Sequence, residues 1–180
     1  MPIRILPDTI ASQIAAGEVV DRPASVVKEL LENAIDAGAE KIEIEVMQAG
    51  RRLIQVTDDG SGIPADELAL AVSRHATSKL SRAEDLFNIH TLGFRGEALA
   101  SIGSVSRLTL ITNTRQNPVG AKFTMEGGEP AETSSIAAAA GTRVSVEDLF
   151  FNLPARLKFL KSDTTENKHI TGLVTRYALA

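Results

Sequence analysis

The chain has 180 residues, a hydrophobic fraction of 43%, a charged fraction of 23% and a net charge of −4. Its length suffices for one substantial domain with its own core, and its composition is ordinary for a globular protein. The charge excludes a uniformly basic nucleic-acid-binding domain, although residues 154–180 form a local strip with five basic and two acidic groups. The absence of cysteine excludes disulfides and thiolate metal sites.

No apolar run approaches the ~20 residues that a membrane-spanning helix needs. The N-terminal residues MPIRILPDTI lack the apolar core and cleavage site of a signal peptide. We therefore expect a cytoplasmic location and no membrane partner. Because the chain ends in TRYALA within an apolar helical pattern, we expect residues 1–180 to be one domain of a longer protein.

In chain order, residues 10–19 have helical spacing interrupted by Gly17, and a stronger helix is predicted for residues 23–37. Asp21 suits its N-cap, Pro23 its first turn, and Gly38 the left-handed residue that follows a helix. The apolar side of this helix is predicted to carry Val27, Leu30, Leu31, Ala34 and Ile35.

The same helix carries a polar stripe of Glu29, Asn33 and Asp36. With ~3.6 residues per turn, these side chains fall within an arc of roughly 60°. A solvated helix face is the usual explanation for such a stripe. The alternative is a carboxylate and an amide that act together on one bound ion or water.

Alternating residues predict a β-hairpin next, because KIEIEVMQ and LIQVTDD are joined by a connection too short for a crossover. Pro64 then opens a short helix, and a further helix begins at Gly96. Strands are predicted in residues 106–114, 120–128 and 142–150, a loose loop in residues 131–141, and two short helical segments at the end. This order predicts an α+β two-layer sandwich with a mostly antiparallel, mixed sheet.

Asp58 ends the second hairpin strand beside Gly60 and Gly62. An Asp in this position can accept a hydrogen bond from an exocyclic amine such as that of adenine, although a simple Asp-Gly turn is the alternative. Residues 60–65 also match a dinucleotide fingerprint, but that motif needs a parallel βαβ unit, and the neighbouring carboxylates would repel a pyrophosphate. No P-loop motif occurs.

Residues 93–99 (GFRGEAL) form a glycine-rich turn that leads into a helix. Free backbone N–H groups at a helix start bind phosphate, and Arg95 adds a bidentate donor. The preceding irregular stretch, residues 74–94, has the length of a functional or disordered loop. A flexible surface loop is the alternative in both cases. Thr142 could meet a base or a water, although Thr also favours strands for steric reasons.

In this order and spacing, the chain resembles the MutL family of DNA mismatch-repair ATPases, which belongs to the wider GHKL group of gyrase, heat-shock chaperone and histidine-kinase ATPases. The resemblance is carried by ELLENAIDAGA, DDGSGI, RHATSK, TLGFRGEALASI and GTRVSVEDLF, and IAAGEVVDRPASVVKEL is similar to MutL in particular. It extends from about Leu6 to the end of the chain. It implies the Bergerat fold, a left-handed βαβ-type sandwich with ATP between helices and sheet.

The resemblance implies a Mg²⁺-dependent ATPase with Glu29 as the general base and Asn33 as the Mg²⁺ ligand. Asp36 would support either the residues around the Mg²⁺ ion or the nucleotide pocket. Asp58 would recognise the adenine amine, Gly62 would allow the ring to approach, and Thr142 would add a contact, either directly or through a water. Together with Asn33, Asp36, Asp58, Gly62 and Thr142, the implied nucleotide-binding residues are Ala37, the lid residues Thr77, Ser78 and Lys79, and the phosphate-binding residues Gly93, Phe94, Arg95, Gly96, Glu97, Ala98 and Leu99.

As implied by this resemblance, ATP would act as a switch that orders the lid and N-terminal arm and dimerises the N-terminal domains. Partners would be the mismatch-recognition protein MutS, downstream repair factors and DNA, with the full-length protein a homodimer. The family's second, transducer domain supplies a lysine to the γ-phosphate, and both this and the C-terminal dimerisation domain are absent here. We therefore expect this chain to bind ATP weakly and hydrolyse it slowly or not at all.

Two alternatives remain open. The first is an interaction module that kept the fold and lost turnover, which Glu29→Ala would distinguish from an ATPase. The second is a histidine kinase, but neither His75, His90 nor His169 lies on a predicted dimerisation helix.

Overall fold

The computed structural model describes residues 7, 14–17, 19–74, 76, 91–93 and 96–180. The expected lid residues Thr77, Ser78 and Lys79 lie outside these ranges, as do Phe94, Arg95, His75 and His90. The helices are α1 (Pro23–Asp36), α2 (Leu68–Ala71), α3 (Ala98–Ser104), α4 (Pro154–Phe159) and α5 (Asp163–Ala178). The strands are β1 (Ile42–Met47), β2 (Leu53–Asp58), β3 (Arg107–Asn113), β4 (Gly120–Glu126), β5 (Glu129–Ile136) and β6 (Gly141–Glu147).

Within the described residues, these strands form one sheet in the order β1-β2-β6-β3-β4-β5, with every neighbouring pair antiparallel. Helix α1 packs on β2, and α5 packs on α1, while α3 contacts β3 and β4. Residues from both layers form the hydrophobic core. The α+β two-layer sandwich predicted from the sequence is confirmed.

The strand register determines what lies at each level of this sheet. Val56, Val144, Leu110 and Phe123 are successive cross-strand partners, and all four side chains are buried. Two residues further along, towards the C-terminal end of β2, the equivalent partners are Asp58, Thr142 and Thr112. Because side chains alternate between faces with a period of two, this polar row lies on the same face as the apolar row. The polar row therefore begins where the apolar core stops.

Helix α1 ends as predicted, because Gly38 has a positive φ of 71° just beyond it. Its N-cap is Arg22, not Asp21, and it has no side-chain cap hydrogen bond. Asp21 instead accepts a hydrogen bond from Ser25. The prediction for Ile35 was also wrong: this residue lies in the last turn and is 39% exposed.

The β1–β2 hairpin is confirmed, but residues 129–136 form strand β5 where the sequence predicted mainly a loop. The side chains of residues 132–135 are exposed. A strand at the sheet edge with both faces in water lacks the apolar alternation by which strands are recognised. Its structure depends on backbone pairing with β4. The final helix, α5, has 16 residues and is longer than predicted.

Candidate functional site

A cavity of about 880 Å³ lies between α1 and the polar row of the sheet. Its volume falls in the range of small-molecule binding sites. Of the residues singled out from the sequence, those lining it are Glu29, Asn33, Asp36, Ala37, Asp58, Gly62, Gly93, Gly96, Glu97, Ala98, Leu99 and Thr142. The polar stripe of α1 is therefore the wall of a cavity and not an ordinary solvated face.

Glu29 and Asn33 project from α1 into this cavity. The Lys28 ammonium lies 3.7 Å from a carboxylate oxygen of Glu29 and 3.0 Å from one of Glu32. Glu32 also accepts a hydrogen bond from the Tyr177 hydroxyl on α5. A short chain of polar contacts thus connects the last helix of the domain to the neighbour of Glu29.

Burial and, next, the hydrogen bond to Glu32 together raise the pKa of Tyr177 to about 12. Glu32 and Tyr177 were not singled out by the sequence. Glu32 is a polar residue next to the stripe on α1. No local sequence pattern indicates that Tyr177, 145 residues further along the chain, would contact it.

Asp36 holds the glycine-rich segment. Its carboxylate accepts hydrogen bonds from the backbone N–H groups of Leu92 at 2.9 Å and Gly93 at 3.1 Å. Bonds between backbone N–H groups and an ionised carboxylate are among the stronger hydrogen bonds in proteins. In this structure the Gly93 N–H is therefore directed at Asp36, whereas the sequence suggested that it would be available to a phosphate.

Asp58 lies at the far end of the cavity from the N-terminal turns of α1. Its Oδ1 accepts hydrogen bonds from the N–H groups of Gly60, at 2.9 Å, and Thr142, at 3.3 Å. Within the described part of the chain, Oδ2 receives none. Burial raises the pKa of this carboxyl above its ordinary value, and the two backbone N–H bonds partly oppose that shift.

Gly62 has a positive φ of 71°, and a Cβ there would come within 2.1 Å of the Asn113 carbonyl oxygen. Gly141 has a φ of 114°, and a Cβ there would lie 2.0 Å from the carbonyl oxygen of Asp58. These two positions need glycine because backbone segments meet there. Close packing of the protein is thus a sufficient reason for Gly62, in addition to the expected contact with a ligand ring.

The turn before α3 supplies another side of the cavity. Helix α3 begins at Ala98, two residues later than predicted, with Glu97 as its N-cap. Gly96 has a φ of 62°, and its Cβ position is blocked by the carbonyl of Ala76, 2.4 Å away. This close contact places Ala76 beside the start of α3. Ala76 and Gly96 both line the cavity.

Thr112 is a further residue that the sequence did not single out. It is 1% exposed and lies at the polar row, hydrogen-bonded to Ile63, Gly141 and Thr142. The sequence does contain an indication of Thr112. Leu108, Leu110 and Thr112 occupy alternate positions of one strand, so a hydroxyl lies at a position where the pattern predicts a buried apolar side chain.

Three other predictions concern metals, membranes and the basic strip. The described residues contain no group of three or more His, Cys, Asp and Glu side chains that could hold a metal ion. None of the described helices combines the length and apolar character needed to cross a bilayer. In the basic strip, Arg156 donates hydrogen bonds to the carbonyls of Gly17 and Val20, which tie the N-terminal segment to the domain. His169 lies at an exposed helix position.

Comparison with known proteins identifies the class of this domain. The profile of the family described as "Histidine kinase-, DNA gyrase B-, and HSP90-like ATPase" matches residues 21–148. The chain belongs to this family of ATPases.

The relatives are more specific. The chain is 59% identical over 180 residues to DNA mismatch repair protein MutL of Bradyrhizobium diazoefficiens, covering all of this chain and 30% of that protein. It is 56% identical over 178 residues to MutL of Solibacter usitatus, covering 99% of this chain and 27% of the relative. The resemblance to MutL is thus confirmed along the whole chain, which spans about three tenths of the length of these curated relatives.

Solved structures agree. The ATPase domain of Aquifex aeolicus MutL, solved in complex with ADP, is 38% identical with a TM-score of 0.69 over 89% of this chain and 56% of that one. The N-terminal domain of a DNA repair protein is 32% identical with a TM-score of 0.73, over 93% of this chain and 47% of the other. The domain therefore has the sequence and fold of a MutL-type ATPase domain.

Proposed function

We propose that the cavity binds ATP with Mg²⁺, and that its hydrolysis is the conformational switch by which the whole protein coordinates mismatch recognition with later repair steps. One observation carries this proposal: the α1 stripe and the polar row of the sheet, far apart in sequence, line the same cavity of about 880 Å³. One wall suits a triphosphate and its attacking water, and the other suits a polar base.

At the base end, Asp58 accepts from the exocyclic amine of adenine through Oδ2, because Oδ1 already receives two backbone N–H bonds. An ionised carboxylate only accepts hydrogen bonds, so it matches an amine donor. The hydroxyl of Thr142, which lies beside Asp58 in the register, adds a second polar contact.

At the phosphate end, Glu29 takes the proton from the water that attacks the γ-phosphate. This partly buried carboxylate lies 3.7 Å from the Lys28 ammonium, and a carboxylate is a group that can act as a general base. Backbone N–H groups of residues 96–99, at the turn into α3, lie along the phosphates. We propose that Phe94 and Arg95 and the lid residues Thr77, Ser78 and Lys79, which lie outside the described residues, complete this end of the site.

The donor set fits Mg²⁺. An Asn amide oxygen is a hard ligand, and Mg²⁺ is usually held by one or two protein groups together with substrate phosphates and waters. Asn33 lines the cavity one helical turn from Glu29 and would hold the ion. When bound, Mg²⁺ would neutralise charge on the phosphate oxygens.

For the whole protein, we propose a cytoplasmic mismatch-repair ATPase whose N-terminal domains dimerise on binding ATP. MutS, later repair factors and DNA are its proposed partners, since the relatives are mismatch repair proteins. Ordering of a loop by a bound nucleotide is a common form of switch. Residues 74–94, of which Ala76, Leu92 and Gly93 line the cavity, are the proposed lid.

Calorimetric titration of the non-hydrolysable analogue AMP-PNP, with and without Mg²⁺, tests the binding proposal. We expect one site per chain, tighter binding with Mg²⁺, and loss of the Mg²⁺ effect in Asn33→Ala. Asn117→Ala is the matched control, because Asn117 is exposed and lies outside the cavity. Absence of binding at millimolar analogue, both in this chain and in a longer protein that contains it, would contradict the proposal.

A further inference from the structure

Thr112 occupies the third position of the polar row and has no part in the function proposed above. It lies on β3, opposite Thr142 of β6, which in turn lies opposite Asp58 of β2. Its side chain is almost fully buried, at 1% exposure. A buried hydroxyl must find hydrogen-bond partners, because an unsatisfied one is costly. The partners of Thr112 are therefore informative.

Three groups surround Oγ1 of Thr112: the Ile63 nitrogen at 2.8 Å, the Gly141 carbonyl oxygen at 3.0 Å and the Thr142 hydroxyl at 3.1 Å. A hydroxyl has one proton to donate and two lone pairs that accept. The Ile63 N–H can only donate and the Gly141 carbonyl can only accept. The single proton of Thr112 therefore goes to Gly141, and the proton between the two threonines comes from Thr142.

This assignment determines what Thr142 presents to the cavity. With its only proton directed at Thr112, the Thr142 hydroxyl offers lone pairs alone. Oδ2 of the Asp58 carboxylate also only accepts. The base end of the cavity therefore presents two neighbouring acceptors and no side-chain donor from these two residues.

We propose that Thr112 is a specificity-determining positioning residue, which orients Thr142 as an acceptor and thereby makes the cavity select a purine with a 6-amino group over one with a 6-oxo group. A 6-amino group has two N–H donors for these acceptors. A 6-oxo group would set a third acceptor against them, leaving buried polar atoms unpaired. The hydrogen bond from Ile63 also holds the loop beside the base, since Ile63 lines the cavity. This inference rests on the proposed nucleotide binding and adds a residue and a proton direction to it.

The test compares the affinities of AMP-PNP and GMP-PNP, by calorimetry, for the wild-type chain and three variants. Thr112→Val removes the hydroxyl with little change of shape, and Thr112→Ser retains it. Thr109→Val makes the same change on the opposite face of β3, where residue 109 is only partly buried.

We expect the wild-type chain to prefer AMP-PNP. In Thr112→Val, this preference should fall by about tenfold, the equivalent of one hydrogen bond, through weaker binding of AMP-PNP alone. Thr112→Ser should restore the preference, and Thr109→Val should match the wild type.

Equal loss of affinity for both analogues in Thr112→Val would show a purely structural role and overturn the inference, as would an unchanged preference. If circular dichroism shows that Thr112→Val is unfolded, Thr112→Cys replaces it, since a thiol is a weak donor and acceptor, and the same ratio decides. If neither the wild-type chain nor a longer protein that contains it binds either analogue, the proposed function fails as well. If it binds and discriminates but Thr112→Val leaves the ratio unchanged, this inference alone fails.

Discussion

The carboxylate of Asp36 accepts the backbone N–H of Gly93, 57 residues further along the chain, at 3.1 Å, and that of Leu92 at 2.9 Å. This contact joins the end of α1 to the glycine-rich segment, and Asp36 and Gly93 both line the cavity. The polar stripe of α1 thus has two uses: Glu29 and Asn33 face the cavity, while Asp36 holds the loop that borders it.

Asp36→Ala should release residues 92 and 93, because the two backbone N–H groups lose an ionised acceptor. We expect the backbone hydrogen exchange of these two residues to accelerate by about tenfold or more, because one hydrogen bond to a charged group is worth about 1.5–3 kcal/mol. The affinity for nucleotide should fall as well. Hydrogen exchange resolved by residue measures the first effect, and calorimetry the second.

Asp59→Ala is the matched control, since Asp59 accepts the N–H groups of Glu40 and Lys41 in the same way but does not line the cavity. Exchange should accelerate at residues 40 and 41 only. Unchanged exchange at residues 92 and 93 in Asp36→Ala would show that this carboxylate does not hold the segment.

Asp58 should make adenine-nucleotide affinity depend on pH. Burial raises the pKa of this carboxyl, and only the ionised form offers Oδ2 as a pure acceptor. Affinity should therefore fall on acidification, beginning at a higher pH than for an ordinary Asp with a pKa of about 3.9. Titrations of AMP-PNP from neutral to acidic pH would measure it.

The variant Asp58→Asn cannot ionise, so its affinity should be low and lose this pH dependence. The exposed Asp66→Asn should behave as the wild type. An identical pH profile for wild-type protein and Asp58→Asn would show that another group governs the effect.

Glu29→Gln should abolish hydrolysis and spare binding. The amide keeps the shape of the side chain but cannot take a proton, and a general base contributes about 10²–10⁴ in rate. Single-turnover hydrolysis in a protein that contains this domain and the adjoining one would give the rate. Glu45→Gln, on the exposed face of β1, should hydrolyse ATP normally. If the wild-type protein binds ATP but does not hydrolyse it, the domain is an interaction module and not an ATPase.

Tyr177→Phe should destabilise the domain, because it removes the hydrogen bond from α5 to the buried Glu32 on α1. Hydrogen bonds to charged groups contribute about 2 kcal/mol, so urea unfolding should show a loss of that order at pH 7. The helix would remain packed through Ile170 and Leu173, which are in the core.

The same bond predicts a loss of stability at alkaline pH. Folding raises the pKa of Tyr177 to about 12 from about 10 in an unfolded chain. The stabilisation is complete below pH ~10 and disappears as the pH rises through the folded-state pKa. Tyr177 is the only tyrosine of the chain, so ultraviolet titration of its phenol gives the pKa directly. A value near that of the unfolded chain would contradict the contact with Glu32.

The sequence by itself determined the elements whose residues have a regular pattern. Helix α1, the β1–β2 hairpin, β3, β4 and β6 all have the apolar period of their secondary structure, and ordered motifs indicated the MutL family. It misplaced β5, because an exposed edge strand has no apolar period. It also misplaced the N-cap of α1, because capping depends on local backbone geometry that several residue types allow.

Only the tertiary structure decided which polar groups meet. The register of β2, β6 and β3 brings Asp58, Thr142 and Thr112 into one row, although they come from three separate segments of the chain. Packing of α5 on α1 places Tyr177 on Glu32, and the return of the chain to the end of α1 places Gly93 on Asp36. Sequence patterns report burial and local conformation. Contacts between distant segments depend on strand register and helix packing, which are set by the whole core and not by the residues that finally touch.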